Sequence, residues 1–131
     1  MTGGNAFDNK GGTRTFNLRK GILNCNSKYV VYKLQCKTCQ SQYIGSTVTP
    51  FRHRFNNYKS QFRTFLNGNN TPQAHLFSHF TQEGHNGMAD WSFQLIDQTN
   101  NTRNLRERES YWQFKLDTFA PKGLNDRFVS I

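Results

Sequence analysis

From Lys28 to Cys36 and again from Gln42 to Thr47 the chain is rich in Val, Tyr and Ile, with a short polar segment between the two runs. This pattern predicts two strands joined as an antiparallel hairpin, with Cys36 and Cys39 at the connection. The period then changes. Phe51, Phe55, Tyr58, Phe62 and Phe65 recur at helical spacing, after Thr49-Pro50, a capping hydroxyl followed by proline at the first helical position. A helix running to about Leu66 follows, ended by Asn67-Gly68-Asn69-Asn70. Thr71-Pro72 repeats the start signal for a shorter helix carrying Ala74, Leu76, Phe77 and Phe80, which Gly84 to Gly87 ends. Trp91 to Leu95 alternates as a third strand, extended by Ile96. Beyond the polar Thr99 to Thr102 stretch, Leu105, Trp112 and Leu116 share one face of a last helix, and Pro121 and Gly123 turn the chain into a loop ending near Leu124-Asn125. The order strand, strand, helix, helix, strand, helix predicts an α+β domain with helices packed on a small, mostly antiparallel three-stranded sheet.

Residues 1–22, glycine-rich and without periodicity, are expected to form a flexible leader or linker, and residues 23–131 the folded domain. The chain has 131 residues, enough for one small core. Its 17 Lys and Arg against 8 Asp and Glu give a formal net charge of +9, which predicts attraction to a polyanion, with nucleic acid the first candidate. No apolar stretch approaches the roughly 18 residues that span a bilayer, and nothing at the N-terminus has the pattern of a signal peptide, so a soluble, intracellular protein without a membrane partner is expected. With 3 cysteines in such a chain a disulfide framework is disfavoured, and Cys36 and Cys39 are thiols available to a metal.

One position breaks the amphipathic pattern. Glu109 lies four residues after Leu105 and three before Trp112, inside the apolar stripe of the last helix, where a carboxylate is costly unless paired or metal-bound. On periodicity alone a salt-bridged glutamate at the stripe edge accounts for this better than a ligand does.

Several segments together resemble the GIY-YIG nuclease family: Val30-Val31-Tyr32, Tyr43-Ile44-Gly45, the helix holding Arg54 and Tyr58, Glu107 to Trp112, and Gly123-Leu124-Asn125. Val30 stands where the family's naming glycine does. The resemblance spans about Lys28 to Asp126. It implies a Mg²⁺- or Mn²⁺-dependent DNA endonuclease in which Glu109, rather than Glu107, holds the metal. Arg54, chosen over Arg52 and His53 by its i, i+4 relation to Tyr58, would contact the scissile phosphate. Tyr32 and Tyr43 would orient the attacking water, Tyr58 would support them, and Asn125 would fix the loop at the site. A tyrosine acting as base would need the metal and Arg54 to lower its ordinary pKa of about 10.

The Cys36-Lys37-Thr38-Cys39 spacing suits two thiolates on one tetrahedral zinc, with His75, His79 and His85 as sources of two further ligands. The local wording is similar to the endonuclease domain of Penelope-like retroelements, and that resemblance selects Cys36, Cys39, His79 and His85. It further implies a nicking module of a retroelement-type protein, joined to the reverse transcriptase region of a larger polyprotein, acting in the nucleus and leaving a 3′ hydroxyl for priming. The alternatives are a stand-alone homing, restriction or repair nuclease, or a non-catalytic zinc-stabilised nucleic-acid-binding module.

Overall fold

The computed structural model describes residues 6–8, 10, 15–17 and 23–126. Two short strands, β1 (Ala6–Asp8) and β2 (Thr15–Asn17), pair antiparallel. Part of the stretch expected to be a flexible leader is therefore structured, and the Asp8 carbonyl accepts hydrogen bonds from Lys33 Nζ at 3.2 Å and Gln42 Nε2 at 2.8 Å. Backbone pairing of such short strands leaves little periodic signal in a sequence. The rest of the leader expected over residues 1–22, and residues 127–131 of the expected folded domain, lie outside the described residues.

The main sheet holds β3 (Val30–Cys36), β4 (Gln42–Thr47) and β5 (Trp91–Gln98) in the order β4-β3-β5, antiparallel throughout. The strand expected from Lys28 begins at Val30, because Tyr29 is in the left-handed region with φ 53°. β3 is central, and its residues Val30 to Leu34 are buried on both faces. Helices α1 (Phe51–Leu66) and α2 (Ala74–Phe80) cover one face. There Tyr32, Phe51, Tyr58, Phe62, Phe77, Trp91 and Phe93 build a core of interlocked aromatic rings, with Leu34 packed among them. Helix α3 (Thr102–Leu116) covers the other face, packing Leu105, Trp112 and Leu116 on Val31, Ile44 and Ile96. Each such side chain contributes about 1.5–3 kcal/mol by leaving water. A 3₁₀ turn, Gly87–Asp90, leads into β5.

The start of α1 corrects the expectation that Thr49 caps it. Pro50 occupies the cap position and no side chain caps the helix; the Thr49 hydroxyl bonds instead to that of Thr47 at 2.9 Å. The first free N–H groups of α1, at Phe51 and Arg52, donate to the carbonyls of Ser27 at 3.2 Å and Cys25 at 2.8 Å. A preceding loop thus supplies the acceptors that a capping side chain would have supplied. At α3 the Asn101 side chain caps Asn104 N–H at 2.8 Å, and Asp117 ends the helix at φ 53°.

β4 is an edge strand, and residues 118–125 close part of that edge. Asn125 Oδ1 accepts from Ile44 N–H at 2.8 Å, and Asn125 Nδ2 donates to Ile44 C=O at 2.9 Å. One side-chain amide therefore stands in for a residue of a further strand. The Thr118 hydroxyl donates to the same Oδ1 at 2.7 Å, and a Cβ on Gly123 would collide with the Thr118 carbonyl.

Candidate functional site

Two groups of polar side chains stand out, one around β4 at Ser46 and one at the β3–β4 turn. The first is assembled from both faces of the sheet. From α1, Arg54 Nη2 donates to the Ser46 carbonyl at 3.5 Å; from α3, Glu109 accepts a short hydrogen bond from the Ser46 hydroxyl. The edge position of β4 makes this possible, because helices on opposite faces can meet around it. Arg54 Nε is buried and has no hydrogen-bond partner among the described residues, so the guanidinium keeps a donor to spare.

Beneath Arg54 lie the three tyrosines. Tyr32 Oη and Tyr58 Oη are 2.5 Å apart in the core, and Tyr43 Oη approaches Gln73 Oε1 at 3.5 Å while adjoining Tyr58. Burial pushes all three phenols well above their ordinary pKa; the charge of a neighbouring tyrosine adds to the rise at each, and the charge of Arg54 opposes it without reversing it. A tyrosine base is expected to need both the metal and Arg54 to lower its pKa; Arg54 acts in that direction, by less than burial raises it. Burial likewise raises the Glu109 carboxyl, against the Ser46 hydrogen bond and the charges of Arg54 and Arg106.

The structure thus brings Tyr32, Tyr43, Arg54, Tyr58 and Glu109 together. Arg52, His53 and Glu107 are exposed. Asn125 is buried at Ile44, two residues along β4 from Ser46, and its visible role is to hold that strand. Sequence reasoning missed Ser46, although it directly follows Tyr43-Ile44-Gly45. It also missed Asp97. This fully buried carboxylate on β5 accepts from Arg108 Nε at 2.6 Å and Trp112 Nε1 at 2.9 Å, fixing the rotation of α3 that turns Glu109 toward β4. A charge continuing the apolar β5 run was the available signal.

In the second group, donor atoms of Cys36, Cys39, His79 and His85 all lie within 4.8 Å of one another, and the four could hold a metal ion. His75 is exposed and outside this group. The turn from Cys36 to Cys39 is closed by Gln40 N–H to Cys36 C=O at 2.8 Å, with Gln40 at φ 65°. Asp90 ties this turn to the histidine segment, accepting from Thr38 Oγ1 at 2.9 Å and Asn86 N–H at 2.8 Å. Cys39 Sγ is 3.3 Å from His79 Nε2. Burial alone would raise the Cys39 thiol, but hydrogen bonds with Ser41 and His85 outweigh it and bring the pKa to about 7, favouring the ligating thiolate. The His85 ring reaches the Cys39 thiol, and both its nitrogens are shielded from solvent. A bound cation would satisfy one of them.

No family model, curated protein or solved structure matches the chain. Among the described residues no helix is long and apolar enough to cross a membrane.

Proposed function

We infer that the chain is a divalent-metal-dependent DNA endonuclease of the GIY-YIG type, the nicking module of a retroelement-type protein. The observation that carries this reading is the meeting of Arg54 and Glu109, from opposite faces of the sheet, at Ser46. A fixed cation beside a half-buried carboxylate, with protonated phenols adjoining, suits hydrolysis of a phosphodiester.

The Glu109 carboxylate fits a hard divalent cation: burial raises the cost of its charge, and a cation would relieve that cost. Glu109 would hold Mg²⁺ or Mn²⁺, which supplies Lewis acidity when bound. Arg54 contacts a non-bridging oxygen of the scissile phosphate and neutralises charge that grows in the transition state, through planar donors that lysine lacks. The hydroxyls of Tyr32 and Tyr43, whose pKa burial raises, orient the attacking water. Tyr58 holds Tyr32 in place. Asn125 keeps β4, and with it Ser46, in register. A 3′ hydroxyl left at the nick would serve as a primer for an adjoining reverse transcriptase, consistent with a nuclear site of action.

Cys36, Cys39, His79 and His85 fit a structural zinc. Tetrahedral zinc needs donor separations of about 3.3–3.8 Å, so a contraction of roughly 1 Å from the present spread would close the site. The solvent-shielded nitrogens of His85 and the favoured Cys39 thiolate both point the same way. The ion would fasten the hairpin to the segment after α2.

Supercoiled plasmid incubated with the protein, with and without Mg²⁺ or Mn²⁺, tests the reading. Nicked circles that need metal, Arg54 and Glu109 are the expected result. Cleavage at an unchanged rate by folded Arg54→Ala and Glu109→Ala proteins would overturn it.

A further inference from the structure

The charges of α3 are distributed unevenly around its axis. Leu105, Trp112 and Leu116 face the sheet, with Glu109 at the margin of that stripe toward β4. Arg106 lies three residues before Glu109, about 60° from it around the axis, and Arg103 three residues before that, about 60° further round toward solvent. A shallow, wide-open groove runs along this side of α3, its described lining being Thr102, Arg103, Arg106, Glu107 and Ser110 of that helix.

An arginine beside a carboxylate that must hold a divalent cation is at first sight a defect, since it repels the metal. The arrangement becomes favourable when a polyanion lies in the groove and neutralises the arginine. Arg106 is exposed, and its charge reaches Glu109, opposing the larger rise that burial imposes. Arg103 reaches Glu107 at 3.5 Å, but both side chains are largely in water, and such a pair is worth at most about 1 kcal/mol. A phosphate competes successfully for that guanidinium. The hydroxyls of Thr102 and Ser110 add neutral donors along the same track.

We propose that this groove holds the phosphodiester backbone of the DNA strand next to the scissile bond, Arg106 contacting the adjacent phosphate and Arg103 the one beyond. The proposal rests on the endonuclease reading and adds the direction in which substrate lies across the site: the strand leaves Glu109 along α3 toward its N-terminus. The occupant is DNA rather than an acidic peptide because the groove abuts the proposed phosphodiester site directly.

The test is binding of a labelled DNA duplex between 50 and 200 mM salt, without added Mg²⁺ or Mn²⁺, alongside plasmid nicking with them. Wild type is compared with Arg103→Gln, Arg106→Gln and Arg63→Gln. Arg63 is exposed in the last turn of α1, nine residues after Arg54 and therefore on the opposite side of that helix. Arg106→Gln and Arg103→Gln should each reduce the slope of log affinity against log salt by about 0.9, and weaken binding about eightfold at 0.1 M salt. Arg63→Gln should leave the slope as it is. An unchanged slope for Arg106→Gln, or an equal loss for Arg63→Gln, overturns the groove, since the second result is that of a diffusely basic surface. Nicking by wild type together with an unchanged Arg106→Gln slope overturns the groove alone. Absence of nicking with the predicted slopes overturns the endonuclease and keeps the groove as a DNA contact, and absence of DNA binding overturns both.

Discussion

Gly45 lies directly opposite Tyr32 across β3 and β4, and a Cβ on residue 45 would come within 2.5 Å of both Cζ and Oη of the tyrosine. The ring of Tyr32 therefore occupies the space that a side chain at 45 would fill, and from there its hydroxyl reaches Tyr58. The two short motifs of the sequence are halves of one contact: the glycine of the second admits the tyrosine of the first. Gly45→Ala should displace the ring, break the 2.5 Å hydrogen bond and overpack the core, at a cost of about 1–3 kcal/mol. Urea denaturation measures this, and a stability within 0.5 kcal/mol of wild type, taken as a rough margin for a surface change, would show that the ring relaxes freely.

Asn125 supplies a donor and an acceptor to the same residue of β4, so its two amide atoms are not interchangeable. In Asn125→Asp the atom that donated to the Ile44 carbonyl becomes a second acceptor, buried and charged against another oxygen. A loss of about 3 kcal/mol is expected, against about 2 for Asn125→Ala, which removes the two bonds to Ile44 and the one from Thr118 but buries no charge. If the aspartate variant were the more stable of the two at pH 7, the pairing with Ile44 would not be what residue 125 is for.

Much of this was legible from spacing. The alternation in β5 and the aromatic repeat of α1 each map onto a buried face, because period and burial are linked by backbone geometry. What the sequence hid depends on contacts between distant segments. The cap of α1 comes from Cys25 and Ser27 carbonyls, which any residue could provide, so Thr49 carried a local signal that tertiary structure did not use. Ser46 and Asp97 are polar residues whose roles exist only once α3 is docked. The hairpin of residues 6–8 and 15–17 was invisible because backbone carbonyls such as that of Asp8 make its contacts to the sheet. The histidine pair was ambiguous from spacing alone, since His75 and His79 also share a helix face; only the fold brings His85 to the cysteines.

That cluster gives a prediction in stoichiometry as well as stability. Protein purified without chelator should carry one zinc per chain; His85→Ala and Cys36→Ser should lose it, and His75→Ala should keep it. Stripping the metal should lower the thermal midpoint by about 10 °C or more, equivalent to roughly 3 kcal/mol for a domain of this size, and re-addition of zinc should restore it. A midpoint indifferent to chelator, or zinc retained by His85→Ala, would remove the site.

Glu109 should set stability against function, with a definite sign in pH. Burial raises its folded-state pKa above the unfolded value of about 4.3, and the Ser46 hydrogen bond with the charges of Arg54 and Arg106 only partly offsets this. Between the two pKa values the folded chain binds more protons than the unfolded chain, so this residue's contribution is most favourable below pH 4 and is lost as pH rises through the folded pKa. At pH 7 the ionised carboxylate is a net cost when no divalent metal is present. Glu109→Gln keeps the shape, can still accept from Ser46 and carries no charge. It should therefore be more stable than wild type at pH 7, with the advantage shrinking as pH falls toward 4, while metal-dependent nicking drops by about a hundredfold or more. Urea curves at several pH values without added divalent cations, paired with plasmid nicking in Mg²⁺, read both effects. A glutamine variant that is less stable at pH 7 would mean that Arg54, Arg106 and Ser46 more than compensate the buried charge; the carboxylate would then be a structural anchor of α3 rather than a group held at a cost for the metal.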